Sequence, residues 1–223
     1  GVIIPEVVHF FFSSVVSGIE DLAYEAGLNV MLCQTNEMYE REVMVAQALI
    51  DHRVDGVLVS LAKSTKKFDH LMSFQENSIP LVFFDRECNL FETDAVVVDD
   101  FKGAYLVTEH LISVGCKNIV HLSAPDNILI GRLRKEGYIK ALTDNNQPVD
   151  PSNIYLCDTR EKVIDKIHRI LSKEVKPDGF FAVNDSTAIA VIQELIKRDY
   201  TVPHDIAVAG FGDGPQASII CPT

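Results

Sequence analysis

Basic residues are scarce in this sequence. It contains 20 Lys and Arg against 32 Asp and Glu, which gives a formal net charge of −12. Contacts to nucleic-acid phosphates require clustered Lys and Arg. We therefore do not expect this segment to bind a nucleic-acid backbone itself. A DNA-binding module elsewhere in a longer polypeptide is compatible with the composition.

Long apolar runs and export signals are also missing. The longest apolar runs fall far short of the ~20 residues that a membrane-spanning helix needs, so no membrane partner is expected. No signal peptide is visible. The chain opens inside a probable strand, Gly1–Pro5, so we expect further residues upstream.

Cysteines are few and scattered. None of the five forms a CxxC pair or another spacing typical of metal sites, so no metal is predicted. Several lie in apolar runs, where a free cysteine behaves as a small hydrophobic residue. Unpaired cysteines of this kind are typical of the reducing cytoplasm, where we place the protein. They are Cys33, Cys88, Cys116, Cys157 and Cys221.

Sequence signatures of catalysis and cofactor binding are missing as well. No Walker sequence, HExxH or GxSxG occurs, and no set of nucleophile and base is visible. The segment Gly210–Gly214 reads GxGxG rather than GxGxxG, and Pro215 follows where a helix should begin, so nucleotide binding is not expected. We predict no catalytic residue and no cofactor. The histidines are dispersed, and four lie on helical patterns where we expect solvent exposure: His52, His70, His110 and His168.

Short apolar runs alternate with amphipathic helical patterns along the whole chain. The clearest unit spans residues 177–213. A strand at Gly179–Val183 is followed by the capping residues Asn184-Asp185-Ser186, a helix, and a second strand at Ile206–Phe211. Near-continuous apolar strands joined by a helix are typical of a parallel sheet.

The alternation forms two series, each of four or five strand–helix units, and the two series meet near residues 98–100. Two series favour an α/β fold of two doubly wound, Rossmann-like parallel-sheet subdomains around a ligand cleft over a single eight-unit barrel. We predict one subdomain over residues 1–98 and a second over 99–217. The predicted helices that bear on the candidate site are Ser13–Ala26, Thr65–Asn77, Lys102–Val114, Arg132–Asn145 and Lys162–Ser172.

Ligands of such sheets bind beyond the carboxyl ends of the strands, and several polar or aromatic residues occur there. The aromatics in His9–Phe12 are expected in a loop, either as core residues or as a wall that stacks on a ligand. Asp85-Arg86 forms either a local salt bridge or an acceptor for ligand hydroxyls. Arg132 and Arg134 open a helix, where cations oppose the helix dipole. One of them is expected to contact a ligand or a carboxylate, and the other to form an ion pair.

Five segments carry a resemblance that covers essentially the whole chain: VDGVLVS (54–60), IPLVFFDR (79–86), residues 96–125, RLRKEGYIKAL (132–142) and residues 177–213. The sequence resembles the effector-binding core of LacI/GalR-family transcriptional regulators, which share the periplasmic-binding-protein fold. The resemblance implies a homodimer that senses a small metabolite and binds operator DNA through an N-terminal headpiece that is absent here. It also implies that residues 218–223 begin a crossover that returns to the first subdomain.

The resemblance implies specific ligand-binding positions. The aromatic first loop corresponds to Phe11 and Phe12, and the acidic residue at the strand end to Asp85. Arg132 corresponds to the ligand-binding arginine, and Arg134 to a structural one. In the Asn184-Asp185 pair, the Asn is implied to face the ligand and the Asp to cap the helix.

The sequence departs from the family pattern at two places. Thr159 stands where an aromatic often follows Asp158. Gly212 replaces an Asp that often follows the Gly-aromatic pair, and Asp213 comes one residue later. The predicted ligand-binding set is therefore Phe11, Phe12, Asp85, Arg132, Thr159, Asn184 and Asp213.

An apolar wall combined with hydroxyl-binding groups predicts a sugar-like effector. A purine is an alternative, although Ile128 and Ile130 occupy expected loop positions that are polar in purine-responsive relatives.

A transport-type sugar-binding protein and an enzyme on a similar fold are the alternative functions. Apolar residues near the second helix exceed what packing on a sheet needs and favour a dimer: Met38, Val43 and Met44. Hinges are expected near Val98-Asp99 and after Gly214.

Overall fold

The computed structural model describes residues 1–88 and 92–221. The chain divides into two compact units, Gly1–Val98 and Asp99–Thr223. Each contains one parallel sheet with helices on both faces, which confirms the predicted α/β fold class. Of the predicted crossover at 218–223, residues 222 and 223 lie outside the described residues.

The first unit is built on a five-stranded sheet of order β2-β1-β3-β4-β5, and every neighbouring pair is parallel. Its strands are β1 (Val2–Ile4), β2 (Leu32–Gln34), β3 (Val57–Val59), β4 (Leu81–Phe84) and β5 (Asp94–Val96), and its helices are α1 (Phe10–Glu25), α2 (Tyr39–Asp51) and α3 (Asp69–Glu76).

Successive residues of β1 point to opposite faces of this sheet, as a strand requires. Ile3 packs with Leu49 of α2 and Leu71 of α3. Its neighbour Ile4 packs on the other face with Phe12 and Val16 of α1. The central strands β1, β3 and β4 are therefore packed on both sides, which explains their short, continuous apolar sequences, whereas the edge strands β2 and β5 are more exposed.

The second unit has a four-stranded parallel sheet of order β7-β6-β8-β9. Its strands are β6 (Ile119–Ser123), β7 (Ile154–Leu156), β8 (Gly179–Ala182) and β9 (Ala207–Ala209), and its helices are α4 (Asp100–Ser113), α5 (Leu129–Asp144), α6 (Arg160–Leu171) and α7 (Asp185–Ile196). Short 3-10 turns occupy Pro151–Asn153 and Pro215–Ser218.

This sheet is also covered on both faces. Ile119 packs with Tyr138 of α5. The next residue, Val120, packs on the opposite face with Ile167 of α6 and Val191 of α7. The predicted strand–helix–strand unit at 177–213 is present as β8, α7 and β9, and β8 pairs parallel with β9.

Helix α1 begins three residues before the predicted start at Ser13, so the placement of the aromatics in a loop is wrong. Phe12 is only 4% exposed and joins the core through this extra turn. Ser13 does not cap the helix, because its hydroxyl donates to the carbonyls of Phe10, at 3.0 Å, and His9, at 3.4 Å. Burial of an aromatic ring outweighs the capping preference of a serine.

Helix α5 also begins three residues early, at Leu129. Ile128 is its N-cap residue and is buried, and Ile130 lies in the first turn, so the loop position expected for Ile130 is wrong. Gly131 explains the early start. A Cβ at this position would lie 2.9 Å from the Pro125 carbonyl oxygen, so the first turn packs tightly on the preceding segment.

The solvent exposure predicted for His70 is wrong. His70 is 8% exposed, and its Nε2 lies 2.9 Å from Oε1 of the buried Glu42. The same carboxylate accepts from the Ala62 N–H at 2.7 Å and the Thr65 hydroxyl at 2.8 Å. A helical pattern identifies the face that a histidine occupies, but a polar partner on a neighbouring element can bring that face into the core.

Within residues 1–88 and 92–221, no helix has the length and apolar character needed to cross a membrane. The same residues contain no cluster of His, Cys, Asp and Glu suited to a metal ion.

Candidate functional site

Strand order indicates where a ligand of each sheet would bind, which is at the carboxyl ends of the strands where the order reverses. In the first unit β1 lies between β2 and β3, and in the second β6 lies between β7 and β8. At such a reversal the connections leave the strands toward opposite faces and open a crevice at the carboxyl ends. The segments that follow β1, β3, β6 and β8 border these two positions.

Phe11 and Phe12 follow β1 but have different environments. Phe11 is 49% exposed, and its ring meets that of Phe12 edge-on with centroids 5.2 Å apart. Phe12 lies in the core beneath it and contacts Phe84. Of the two, Phe11 offers an accessible aromatic surface, whereas Phe12 supports it.

Asp85 stands directly after β4 in a left-handed backbone conformation, with φ of 60°. Its Oδ2 lies 3.5 Å from the Ser60 hydroxyl and 3.6 Å from Nε of Arg86. Of the two alternatives left by the sequence, the local salt bridge is therefore present, and the role of Asp85 as an acceptor for ligand hydroxyls stays a prediction. Ser60 follows β3, so the two residues bring neighbouring strand ends together.

Sequence reasoning missed Glu37, which lies in the segment between β2 and α2. Its carboxylate accepts from Nη1 of Arg86, at 2.8 and 3.0 Å, and from the Lys63 N–H at 2.7 Å. A signal was available, because the polar residues Asn36 and Glu37 come within three residues of the end of β2, at its carboxyl end. Both residues have positive φ, 51° and 60°.

In the second unit, Arg132 and Arg134 differ in their environments. Sequence patterns alone had not decided which of the two arginines is structural. Arg134 is buried and donates to Asp100 Oδ1 at 2.8 Å and to the Val183 carbonyl at 2.5 Å. Burial raises the pKa of Asp100, and the nearby guanidinium opposes that shift. Arg132 is half exposed, and its Nε lies 3.8 Å from Glu136. Arg134 is therefore structural, and Arg132 is the accessible cation.

Asn184 caps α7, so the assignment of the cap to Asp185 is wrong. Its Oδ1 accepts from the Thr187 N–H at 2.9 Å and the Ser186 hydroxyl at 2.8 Å. Its amide nitrogen donates to the Asp158 carbonyl at 3.3 Å. Asn184 thus holds the ends of β7 and β8 together. A β-region backbone at the N-cap and a short side chain explain why the asparagine takes this role.

Asp185 instead fixes the glycine-rich segment after β9. Its Oδ2 accepts from the Gly214 N–H at 2.7 Å. A Cβ on Gly210 would lie 2.8 Å from Oδ1, and one on Gly212, whose φ is +136°, would lie 3.1 Å from Oδ2. The GxGxG pattern therefore accommodates a carboxylate.

The remaining predicted residues lie at the same edge of the second sheet. Thr159 is the N-cap of α6, and its hydroxyl accepts from the Lys162 N–H at 3.4 Å. Asp213 is exposed and has a positive φ of 54°. Asp158 is buried, and its Oδ1 lies 2.5 Å from Lys162 Nζ.

Next to this edge, burial raises the pKa of the Cys157 thiol to about 11. A thiol with that pKa is almost fully protonated at neutral pH and is a poor nucleophile. The groups gathered at the two edges are carboxylates, a guanidinium, an amide, hydroxyls and one aromatic face. They suit recognition through hydrogen bonds and stacking.

Comparison with known families agrees with this arrangement. A family model described as periplasmic binding proteins and sugar binding domain of LacI family matches residues 1–219. The chain belongs to this family. Its repressor relatives identify it as an effector-binding domain of the LacI type.

Individual relatives of this LacI-family domain are regulators with distant sequences. The HTH-type transcriptional repressor PurR of Vibrio parahaemolyticus is 28% identical over 226 residues, which cover 100% of this chain and 66% of the relative. The arabinose metabolism transcriptional repressor of Halalkalibacterium halodurans is 28% identical, with 92% of this chain and 56% of the relative covered. The chain thus spans 56–66% of these two relatives.

A solved structure is similar over the whole chain. A periplasmic binding protein/LacI transcriptional regulator from Alkaliphilus metalliredigens, in complex with D-xylulofuranose, is 25% identical. The TM-score is 0.84, and the match covers 100% of this LacI-family domain and 80% of the other chain.

Proposed function

We propose that this LacI-family domain binds a small, hydroxyl-rich, sugar-like effector through the strand-end segments of each unit. The observation that carries the proposal is that hydrogen-bonding side chains follow the carboxyl ends of strands in both sheets, and that an accessible aromatic ring, Phe11, follows β1 in the first unit. Phe11 supplies an apolar face, Asp85 accepts from hydroxyls, and Arg132 donates. Two relatives point the same way, since one is named for arabinose metabolism and another was crystallised with D-xylulofuranose.

Asn184, Thr159 and Asp213 complete the proposed set in the second unit. Asn184 and Thr159 both cap helices, so their remaining hydrogen-bonding capacity is presented at a fixed position on the sheet edge. Asp213 follows Gly212 and takes the place of the carboxylate expected one residue earlier. The proposed function needs no metal and no cofactor, because hydrogen bonds and stacking suffice for a neutral polyol.

A thermal-shift screen tests the proposal. The panel contains D-xylulose, L-arabinose and cellobiose, one sugar phosphate (ribose 5-phosphate), and the nucleobases hypoxanthine and guanine. A compound that binds only the folded state raises Tm, and the rise increases with the ratio of its concentration to Kd. We expect a neutral sugar to raise Tm and the nucleobases to leave it unchanged. A shift with hypoxanthine or guanine alone would overturn the sugar assignment.

We further propose that the whole regulator is a cytoplasmic homodimer whose affinity for operator DNA changes with the effector. The family and its repressor relatives support this reading over a transport-type binding protein. Met38 and Met44 are exposed on the first unit and are candidates for a dimer surface. Sedimentation of the complete regulator at tens of micromolar, where a dimer worth about 8 kcal/mol would be populated, should show a dimer. A monomer under these conditions would contradict it.

A further inference from the structure

One carboxylate joins three strand-end segments of the first unit. Glu37 follows β2, and its side chain binds the Lys63 N–H after β3 at 2.7 Å and Arg86 Nη1 after β4 at 2.8 and 3.0 Å. Its own carbonyl accepts from the Ser64 hydroxyl at 2.9 Å. The three segments come from positions far apart in the sequence and share this single acceptor.

Arg86 extends the connection toward the candidate site. Its Nη1 also donates to the Leu61 carbonyl at 3.0 Å, and its guanidinium lies 5.7 Å from the centroid of the Phe12 ring. Its Nε lies 3.6 Å from the carboxylate of Asp85. The Arg86 side chain is 10% exposed and that of Glu37 is 18% exposed. Water therefore screens this ion pair much less than it would a pair on the surface.

Asp85 needs such support because of its backbone. A left-handed conformation at a residue other than glycine costs free energy and persists only where neighbouring contacts impose it. Three backbone hydrogen bonds lie around Asp85. The first joins its N–H to the Val96 carbonyl at 3.0 Å, the second joins the Leu61 N–H to the Arg86 carbonyl at 3.4 Å, and the third joins the Arg86 N–H to the Phe84 carbonyl at 2.6 Å. The second and third bonds belong to the residue that Glu37 holds.

We propose that Glu37 is a positioning residue for effector binding: through Arg86 and Lys63 it holds the segments after β3 and β4 as one unit and so fixes the carboxylate of Asp85. This inference rests on the proposed function, because Asp85 is taken as a ligand contact. Glu37 itself does not have to touch the ligand. Its role is to reduce the freedom that Asp85 would lose on binding.

Glu42 provides a matched comparison within the same region. It binds the Ala62 N–H and the Thr65 hydroxyl after β3, and its Oε1 lies 2.9 Å from Nε2 of His70 on α3, whereas Arg86 binds Glu37. Of the two segments after β3 and β4, loss of Glu42 should therefore loosen only the one after β3, whereas loss of Glu37 should loosen both. Glu40, an exposed residue of α2, serves as a neutral control.

Amide hydrogen exchange tests the proposal without any ligand. In Glu37→Ala we expect exchange to accelerate about tenfold in both Ser60–Ser64 and Asp85–Cys88, since local opening is governed by the contacts that close it. Glu42→Gln should accelerate exchange in Ala62–Thr65 but leave Asp85–Cys88 unchanged, and Glu40→Ala should change neither segment. Acceleration of Ser60–Ser64 alone in Glu37→Ala would overturn the proposal.

Glu37→Gln keeps the test valid if Glu37→Ala fails to fold. The amide oxygen can still accept from Lys63, but the charge that holds Arg86 is gone, so exchange in Asp85–Cys88 should rise while Ser60–Ser64 changes less. Unchanged exchange in Asp85–Cys88 would again refute the role of Glu37.

Affinity separates positioning from simple stabilisation. D-xylulose, L-arabinose and cellobiose are titrated calorimetrically into the folded variants. For a sugar that binds the wild type, Glu37→Gln should weaken binding about fivefold or more, whereas Glu40→Ala should not. Wild-type affinity in Glu37→Gln would overturn the proposal. If no sugar binds the wild type, the proposed function fails, and the exchange data still decide whether Glu37 holds Asp85.

Discussion

The guanidinium of Arg134 lies on the ring of Phe211, with its central carbon 3.6 Å from the ring centroid. The same ring lies against Gly103 of α4, where a Cβ would lie 2.7 Å from Cε2 of Phe211. Arg134 also binds Asp100 at the start of α4. The segment after β9 is thereby tied to α4 and α5, and the identity of Gly103 is explained by the close approach of the ring.

Removal of Arg134 should destabilise the second unit strongly. Arg134→Ala leaves Asp100 as a buried carboxylate without its cation, a change that costs about 3–5 kcal/mol in comparable sites. Equilibrium urea unfolding at pH 7 measures this loss of unfolding free energy. Arg132→Ala is the matched control, because Arg132 is half exposed and its loss should change stability by less than about 0.5 kcal/mol. Equal effects would contradict the structural role of Arg134.

Arg132→Ala should instead affect binding. Loss of a donor to a ligand oxygen, or of a partner to a neighbouring carboxylate, costs about 2–4 kcal/mol. Calorimetric titration with a sugar that binds the wild type measures the change. Lys140→Ala, which removes another exposed cation paired within α5, should leave the affinity unchanged. If Arg132→Ala binds with wild-type affinity, the assignment of Arg132 to the site is wrong.

Two glycine substitutions should change stability in opposite directions. A Cβ at Gly210 would lie 2.8 Å from Oδ1 of Asp185, so Gly210→Ala should destabilise by about 1–3 kcal/mol. Gly18 lies within α1 with nothing within 4 Å of its added Cβ. Gly18→Ala should therefore stabilise by about 0.5–1 kcal/mol, because alanine loses less backbone entropy in a helix. Urea unfolding measures the unfolding free energy of both variants. A Gly210→Ala variant more stable than the wild type would contradict the close packing of Gly210 against Asp185.

His121 should make the fold sensitive to acid. It stacks between Tyr138 and Phe181, and burial lowers its pKa from 6.5 to about 4. Between these two values the unfolded chain binds a proton that the folded chain does not, so stability falls as the pH is lowered through this window. The loss from this one group is about 3 kcal/mol at most.

The variant His121→Phe isolates this contribution. Its unfolding free energy, measured from pH 7 down to pH 4.5, should fall less steeply than that of the wild type. His168→Phe, at an exposed position of α6, is the control and should keep the wild-type slope. An identical slope in His121→Phe would contradict the buried, neutral imidazole.

Much of the fold followed from the sequence because its signals are local. Apolar runs of strand length, helical periodicity and cap residues depend on neighbours a few positions away, and they predicted the βα alternation and the parallel sheets. The residues at which helices begin were less predictable. Phe12 and Gly131 lie in helix turns that the sequence did not indicate, because those turns form to bury a ring and to pack on the preceding backbone.

The sequence by itself determined the α/β class and the strand ends after which the predicted ligand-binding residues stand. Only the tertiary structure decided that Asn184 caps α7 while Asp185 supports the glycine segment, and that His70 is buried. It alone revealed Glu37, whose partner Arg86 is 49 residues away. The physical reason is that a side chain's role depends on its partner. For buried polar groups that partner usually lies on another element, where no local pattern specifies it.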